Sequence, residues 1–298
     1  MASALIGISG YIYASWRGRF YPATLRQRDW LAYASRIFDS IELNGTFYSL
    51  KTPTVYARWA SEVPPDFTFA IKGSRFITHN LKLRNCERAL GNFFASGVLA
   101  LGRQTGPFLW QLPSSYAFDR DRIDSFLSML PRGTRAAEAV AARHDERVRD
   151  PLCEAADDVT YRHAMEVRHD SYFVPEFYDL LRKHSVAFVV SDTAGKFPYA
   201  EEVTADFVYV RLHGSKQLYV SGYDDQELDA WARRVQQWRR KRRDVYVYFD
   251  NDALVHAPHD AMRLMTRVHG RDVQRPPEPP PKRRPPVRRT RTRRATSG

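Results

Sequence analysis

Cysteine is scarce in this 298-residue sequence, with two residues, Cys86 and Cys153. They form no Cys-x-x-Cys pair and adjoin no histidine. A disulfide framework is therefore excluded, and both read as ordinary thiols of a reducing compartment. No run of 18 apolar residues occurs, so no transmembrane helix and no membrane partner are expected. The opening Met-Ala-Ser-Ala-Leu-Ile-Gly-Ile-Ser-Gly has no basic segment ahead of its apolar one. No signal peptide is expected from it, and the expected location is cytoplasmic. Also missing are Gly-x-Gly-x-x-Gly after the first apolar segment, His-x-His and His-Glu-x-x-His. Dinucleotide binding and the common zinc motifs thus lack sequence support.

Most of the chain also lacks net charge. Residues 1–270 carry 36 basic and 32 acidic groups, whereas 271–298 carry ten basic and two acidic ones. The overall +12 is therefore largely a property of the last segment. That segment holds seven of the 18 prolines and few apolar residues. Such a composition cannot bury enough surface to offset its ordering entropy. We expect a disordered Pro/Arg-rich tail over 271–298 after a folded domain over 1–270. The tail reads either as a solubilising extension or as an anchor making nonspecific contact with nucleic acid.

With 43% hydrophobic and 13% aromatic residues, the remainder is globular and long enough for a large core. Eight strand signals occur at 5–10, 40–44, 67–72, 107–112, 164–168, 186–191, 207–213 and 245–250. Helical periodicity fills most of the gaps. Leu90, Phe93, Phe94, Gly97, Val98 and Leu101 make one stripe, and Leu228, Trp231, Ala232, Val235 and Trp238 another. Further stripes include Ile123–Leu130 positions and residues 261–268, and helices fit 27–38, 53–61 and 175–184. Alternating strands and helices of this number predict an α/β fold, a single (β/α)8 TIM-like barrel. Two irregularities stand out: an inserted charged stretch at 131–163 and no helix signal at 193–205.

Three strands end in polar residues that a buried strand should avoid. Residues two apart on a strand share a face, so Glu42 pairs with Asn44, Glu166 with Arg168, and Arg211 with His213. Burying a charge is unfavourable unless it is paired, so these strands point to one shared polar pocket. In a (β/α)8 barrel that pocket lies at the C-terminal strand ends. The residues expected there include Tyr48, Lys72, His79, Gln111, His169, Asp192 and Asn251, together with the three pairs. Glu166 and then Glu42 are the candidate general acid and base, with His213 and His79 assisting proton transfer. Lys72, Arg168 and Arg211 suit an anionic ligand. Asn44, Tyr48, Gln111, His169, Asp192 and Asn251 are candidates for the remaining substrate contacts. The histidines with nearby carboxylates could also hold a divalent metal. A purely structural salt-bridge layer is the competing explanation of the Glu and Arg set. Tyr11, Tyr13, Trp16, Phe20 and Tyr21 could stack on a planar or sugar ring, or simply pack.

Several of these segments also form a recognisable series. They are Gly-Ile-Ser-Gly at 7–10, Trp-Arg-Gly-Arg-Phe-Tyr-Pro at 16–22, and Ile-Glu-Leu-Asn-Gly-Thr-Phe-Tyr at 41–48. Next come Phe-Ala-Ile-Lys at 69–72, Ile-Thr-His at 77–79, and Gly-Pro-Phe-Leu-Trp-Gln-Leu-Pro at 106–113. Glu-Val-Arg-His at 166–169, Tyr-Val-Arg-Leu-His-Gly at 209–214 and Tyr-Phe-Asp-Asn-Asp at 248–252 complete it. In these motifs the chain resembles the DUF72, or YecE-like, family across roughly 5–268. It departs from the family at Tyr11, where tryptophan usually follows the glycine. The resemblance implies a TIM-like barrel with a pocket built from the motif residues, and no particular reaction. The expected activity is an enzyme, isomerase- or hydrolase-like, acting on a small anionic or sugar-like substrate. Binding or cleavage of nucleic acid, with the tail as anchor, is the alternative.

Overall fold

The computed structural model describes residues 2–270 together with 272 and 273. Its eight strands are β1 (Ala4–Ser9), β2 (Ser40–Leu43), β3 (Thr68–Lys72), β4 (Thr105–Gln111), β5 (His163–Glu166), β6 (Val186–Asp192), β7 (Phe207–Leu212) and β8 (Asp244–Phe249). Each pairs in parallel with its sequence neighbour, and β8 returns to β1, which closes the barrel. The expected (β/α)8 architecture is thus observed. Apart from Asp272 and Val273, the expected tail over 271–298 lies outside the described residues. Among the described residues no helix is long and apolar enough to cross a membrane.

Strand alternation divides the core into two layers. Phe207 and Tyr209 of β7 and Tyr246 and Tyr248 of β8 belong to the barrel interior with Ala70, Leu109, Ala164, Ala187 and Val189. Val208, Val210, Leu212, Val245, Val247 and Phe249 instead belong to the large cluster beneath the helices. The interior is filled by large rings facing small residues: Tyr209 and Tyr248 lie 5.1 Å apart, and the Tyr248 hydroxyl reaches Ser40 Oγ at 2.7 Å. Gly7 leaves the room this requires, because a Cβ there would overlap the Ser40 carbonyl oxygen.

The helices are α1 (Trp30–Ala34), α2 (Gly45–Tyr48), α3 (Pro53–Ser61), α4 (Glu87–Ala95), α5 (Arg120–Met129), α6 (Thr134–Ala141), α7 (Pro175–Lys183), α8 (Asp225–Arg240) and α9 (His256–His269). The helix expected over 27–38 is shorter. A 3-10 turn leads into α1, and the chain then tightens to i→i−3 bonds at Arg36 and Ile37 because β2 begins at Ser40. The apolar stripe expected over 90–101 is broken between α4 and a 3-10 turn. Gly97 at the break has φ 120° and approaches α3 so closely that a Cβ would lie 2.5 Å from Pro53 Cα. The 131–163 insertion supplies α6. Residues 193–205 form no helix, as the sequence suggests, and Thr204 tethers their end by accepting from Phe188 N and donating to the Val186 carbonyl.

A histidine in the wall makes stability depend on pH. His163 is fully buried; Trp110 Nε1 donates to its Nδ1 at 3.1 Å, and its Nε2 donates to the Pro131 carbonyl at 2.7 Å. Both nitrogens are satisfied only in the neutral form. Burial first, and then the Arg132 charge, lower its pKa to about 3. The unfolded chain therefore binds the extra proton as pH falls from about 6.5, and the folded protein does not. We expect stability to drop by about 2–3 kcal/mol between pH 6.5 and pH 4 from this residue. Urea melts of wild type and His163→Phe across that range check this, and the variant should show a shallower loss.

Candidate active site

The inward positions at the strand ends replace the apolar interior with charge. β1 contributes Ser9, β2 Glu42, β3 Lys72, β5 Glu166 and β7 Arg211, and all five are buried. Arg211 is the hub. Its Nε and Nη2 donate to the two Glu42 oxygens at 3.1 and 2.8 Å, Nη2 also to Asp250 Oδ2 at 2.8 Å, and Nη1 to Glu166 Oε2 at 2.8 Å. Ser9 Oγ accepts from Nη2 at 3.0 Å and donates a short hydrogen bond to Glu42. Tyr209 OH donates to Glu42 Oε2 at 2.6 Å. Arg168 Nε covers the other Glu166 oxygen at 2.9 Å. Glu42, Glu166 and Asp250 thus converge on a guanidinium, which holds the place a metal ion would need. Among the described residues no group of three or more His, Cys, Asp or Glu could hold a metal.

This network sets the ionisation of its members. Burial alone would raise the Glu166 and Asp250 carboxyls. Their neighbours outweigh it, Arg168 and Arg211 at Glu166 and Arg211 with the His213 ring at Asp250, and hold both well below the usual carboxylate range. Burial and Arg211 lower His213. Its Nδ1 lies 3.1 Å from Asp250 Oδ2 but off the line of a hydrogen bond, so we read the contact as electrostatic. Burial, and then the Arg211 charge, bring Lys72 down to about 8. Lys72 forms no ion pair with a described residue, and its ammonium stands 4.5 Å from the centre of the Phe47 ring.

Above this layer opens a cavity of about 590 Å³. Lys72, Asn44, Asp250 and Asp252 give it polar walls, and Tyr11, Tyr13, Tyr48, Trp59 and Tyr219 aromatic ones. Asp252 differs from Asp250: burial, and then the Asp250 charge, push its carboxyl up to about 6. Asn44 Nδ2 donates to Ser9 Oγ at 2.9 Å, while its Oδ1 is buried with no partner among the described residues. Tyr219 adopts φ 64°, a strained conformation for a bulky residue. It places its ring edge-on to His213 at 5.3 Å, with its hydroxyl 3.4 Å from Arg168 Nη2. A larger cleft of about 830 Å³ lies at the opposite end, between Thr105, Arg132, Arg162 and Tyr246. Its Arg162 is already paired with Asp206 and Asp244, and that end of a (β/α)8 barrel ordinarily serves stability.

The structure brings Glu42, Asn44, Lys72, Glu166, Arg168, Arg211 and His213 together, as their spacing predicts. Tyr48 stands at the exposed rim, and Gln111 lies opposite Glu166 in register. His79, on a π-helical turn (Phe76–Asn80), stands edge-on to Phe47 at 5.1 Å. Burial, and then Lys72, lower it to about 4, so it is neutral near pH 7. Of the expected residues Asn44, Tyr48 and Lys72 line the cavity itself, and three others turn to partners away from the charged layer. His169 turns to Ser171 and caps the following 3-10 turn. Asp192 accepts from Tyr223 OH at 3.1 Å and lines a separate cleft of about 350 Å³. Asn251 donates to the Ser221 carbonyl and Asp260. Each sits one position out of phase with an inward residue: Arg168, Ser191 and Asp250. Conversely Ser9 and Tyr209 belong to the site and were not expected there, while Asp252, a polar residue following the last strand, lines the cavity as that position implies. The signal for Ser9 and Tyr209 was the same two-residue phase, since Ser9 shares a face with Gly7 and Tyr209 with Arg211. Of the aromatic group, Trp16, Phe20 and Tyr21 pack in the core, while Tyr11 and Tyr13 face the cavity.

Residues 5–284 match the family described as "Protein of unknown function DUF72", running past residue 270 into the basic segment. YecE of Escherichia coli strain K12, a UPF0759 protein, is 24% identical over 229 residues, 75% of this chain and 80% of YecE. YunF of Bacillus subtilis strain 168, also a UPF0759 protein, is 22% identical over 261 residues, 78% of this chain and 83% of YunF. The crystal structure of a DUF72 family protein from Thermotoga maritima superimposes with a TM-score of 0.72 at 25% identity, covering 90% of this chain and 99% of that one.

Proposed function

The chain belongs to the DUF72 family, and from its site we propose an enzyme that acts by acid/base chemistry on a small polyhydroxylated or anionic substrate. The observation that supports this best is the pair of carboxyls two residues apart at one cavity. Asp250 is held ionised by Arg211, and Asp252 is pushed up to about 6. Carboxyls whose environments separate their proton affinities are the mark of divided acid and base roles. On this reading Asp252 moves the proton. Glu42 and Glu166, with every oxygen taken by Ser9, Tyr209, Arg168 and Arg211, act as positioning residues that hold Arg211 and, through it, Asp250. Lys72 presents a cation to an anionic group, Asn44 Oδ1 is a free acceptor for a hydroxyl, and the tyrosines offer faces to a carbon chain or ring.

A thermal-shift screen of sugar acids, sugar phosphates and neutral polyols tests the binding. A ligand at a hundred times its Kd stabilises the folded state by about 2.7 kcal/mol. Acidic sugars should raise Tm in wild type and lose that effect in Lys72→Met, while Asn44→Ala should weaken neutral polyols as well. Shifts that persist unchanged in both variants would place the ligand elsewhere, and no shift from any compound of these classes would overturn the substrate class.

A further inference from the structure

We propose that Lys72 is a nucleophile that condenses with the carbonyl carbon of an open-chain hydroxy-aldehyde or hydroxy-ketone to form an imine. This deepens the acid/base reading and rests on it for the proton transfers. The inference starts from how Lys72 is held. Its side chain lies at the C-terminal end of β3, with the residue 8% exposed, and it lines the cavity. Three acidic side chains of the layer, Glu42, Glu166 and Asp250, are tied to arginines at 2.8 Å, and none is within ion-pair distance of Lys72. A lysine whose purpose was to neutralise the layer would pair with one of them. Instead its ammonium stands 4.5 Å from the centre of the Phe47 ring, on the wall of the cavity that a ligand would enter. Arg211 beside it and the surrounding burial favour the uncharged amine. With Lys72 lowered to about 8, about one amine in ten is unprotonated at pH 7. Buried lysines with such environments serve as carbonyl-condensing nucleophiles.

The chemistry balances without a co-reactant. The Lys72 Nζ lone pair attacks the carbonyl carbon, the C=O π bond breaks, and its oxygen takes one proton from solvent water to become the hydroxyl of a carbinolamine. Asp252 takes a proton from the nitrogen and returns it to that hydroxyl, which leaves as water as the C=N bond forms. One water is released for each imine, and nothing is oxidised or reduced. The protonated imine then draws electrons from the adjacent carbon, which eases removal of its proton. Water reverses the linkage and frees the product.

Borohydride trapping on the full chain tests this without any need for turnover. The protein is incubated with glyceraldehyde or dihydroxyacetone, reduced with sodium borohydride, and the adduct located by peptide mass mapping. We expect label at Lys72 at least tenfold faster than at the exposed Lys216, and no corresponding adduct with glycerol, which has no carbonyl. In Lys72→Arg, which keeps the charge, the fast-labelling component should vanish. If Lys72 labels no faster than Lys216, the imine is wrong, even if the thermal-shift screen succeeds. If Lys72 is labelled rapidly and equally in Asp252→Asn, the nucleophile stands and the proton-transfer role of Asp252 falls.

Discussion

Replacing Arg211 by methionine should lower the stability of the barrel by about 3–5 kcal/mol, roughly a 10 °C fall in Tm. Arg211 is fully buried and receives Glu42, Asp250 and one oxygen of Glu166. Methionine fills much of the same space, so the loss is not mainly a cavity effect. It comes from leaving Glu42 and Asp250 buried without their cation, while Arg168 still covers Glu166. The pH dependence identifies the cause. In the wild type the Glu166 and Asp250 carboxyls are depressed. Their contribution is fully present above the unfolded carboxylate range near pH 4 and is lost as pH falls through their folded values. In Arg211→Met the carboxyls left without a cation can be buried only as neutral acids. The folded state then binds more protons than the unfolded one, and stability falls as pH rises. Urea melts at pH 5 and pH 8 should therefore show a larger deficit at pH 8. A deficit under about 1 kcal/mol at both would mean that the network relaxes into water and is no buried hub.

Asp252→Asn should reduce kcat/KM by about 10²- to 10⁴-fold on a substrate found by the ligand screen, the range typical of a lost general base. The wild-type rate should rise with pH through about 6, where Asp252 ionises, and the variant should lack that limb. Stability should move the other way. The Asp252 carboxyl is raised in the folded state, so its contribution is fully present below the unfolded value of about 3.8 and lost as pH rises through about 6. Asparagine cannot ionise and avoids that loss, so at pH 7 the variant should be at least as stable as wild type. Activity falling while stability holds or rises separates a functional carboxyl from a structural one. Retention of activity within about threefold, or persistence of the limb near pH 6, would move the base to another residue.

Much of the fold was legible in local sequence because its signals are local. Strand alternation places Phe207, Tyr209 and Arg211 on one face, and helical periodicity gathers Leu228, Trp231 and Val235 on another. Both follow from backbone geometry that needs no distant partner. The same alternation made Glu42, Glu166 and Arg211 conspicuous, since charge on the inner phase of an apolar strand demands compensation. Polarity without phase misled at His169, Asp192 and Asn251, which lie next to inward residues and turn away from the cavity.

What the sequence could not determine is which charge meets which. Ser9, Glu42, Glu166, Arg211 and Asp250 come from five different strands or their ends, and barrel closure alone sets their distances. A carboxylate's ionisation depends on those distances and on burial, so only the tertiary structure makes Glu42 and Glu166 anchors of a guanidinium. By the same physics it leaves Lys72 without an ion pair among the described residues and Asp252 at the cavity with a proton to exchange.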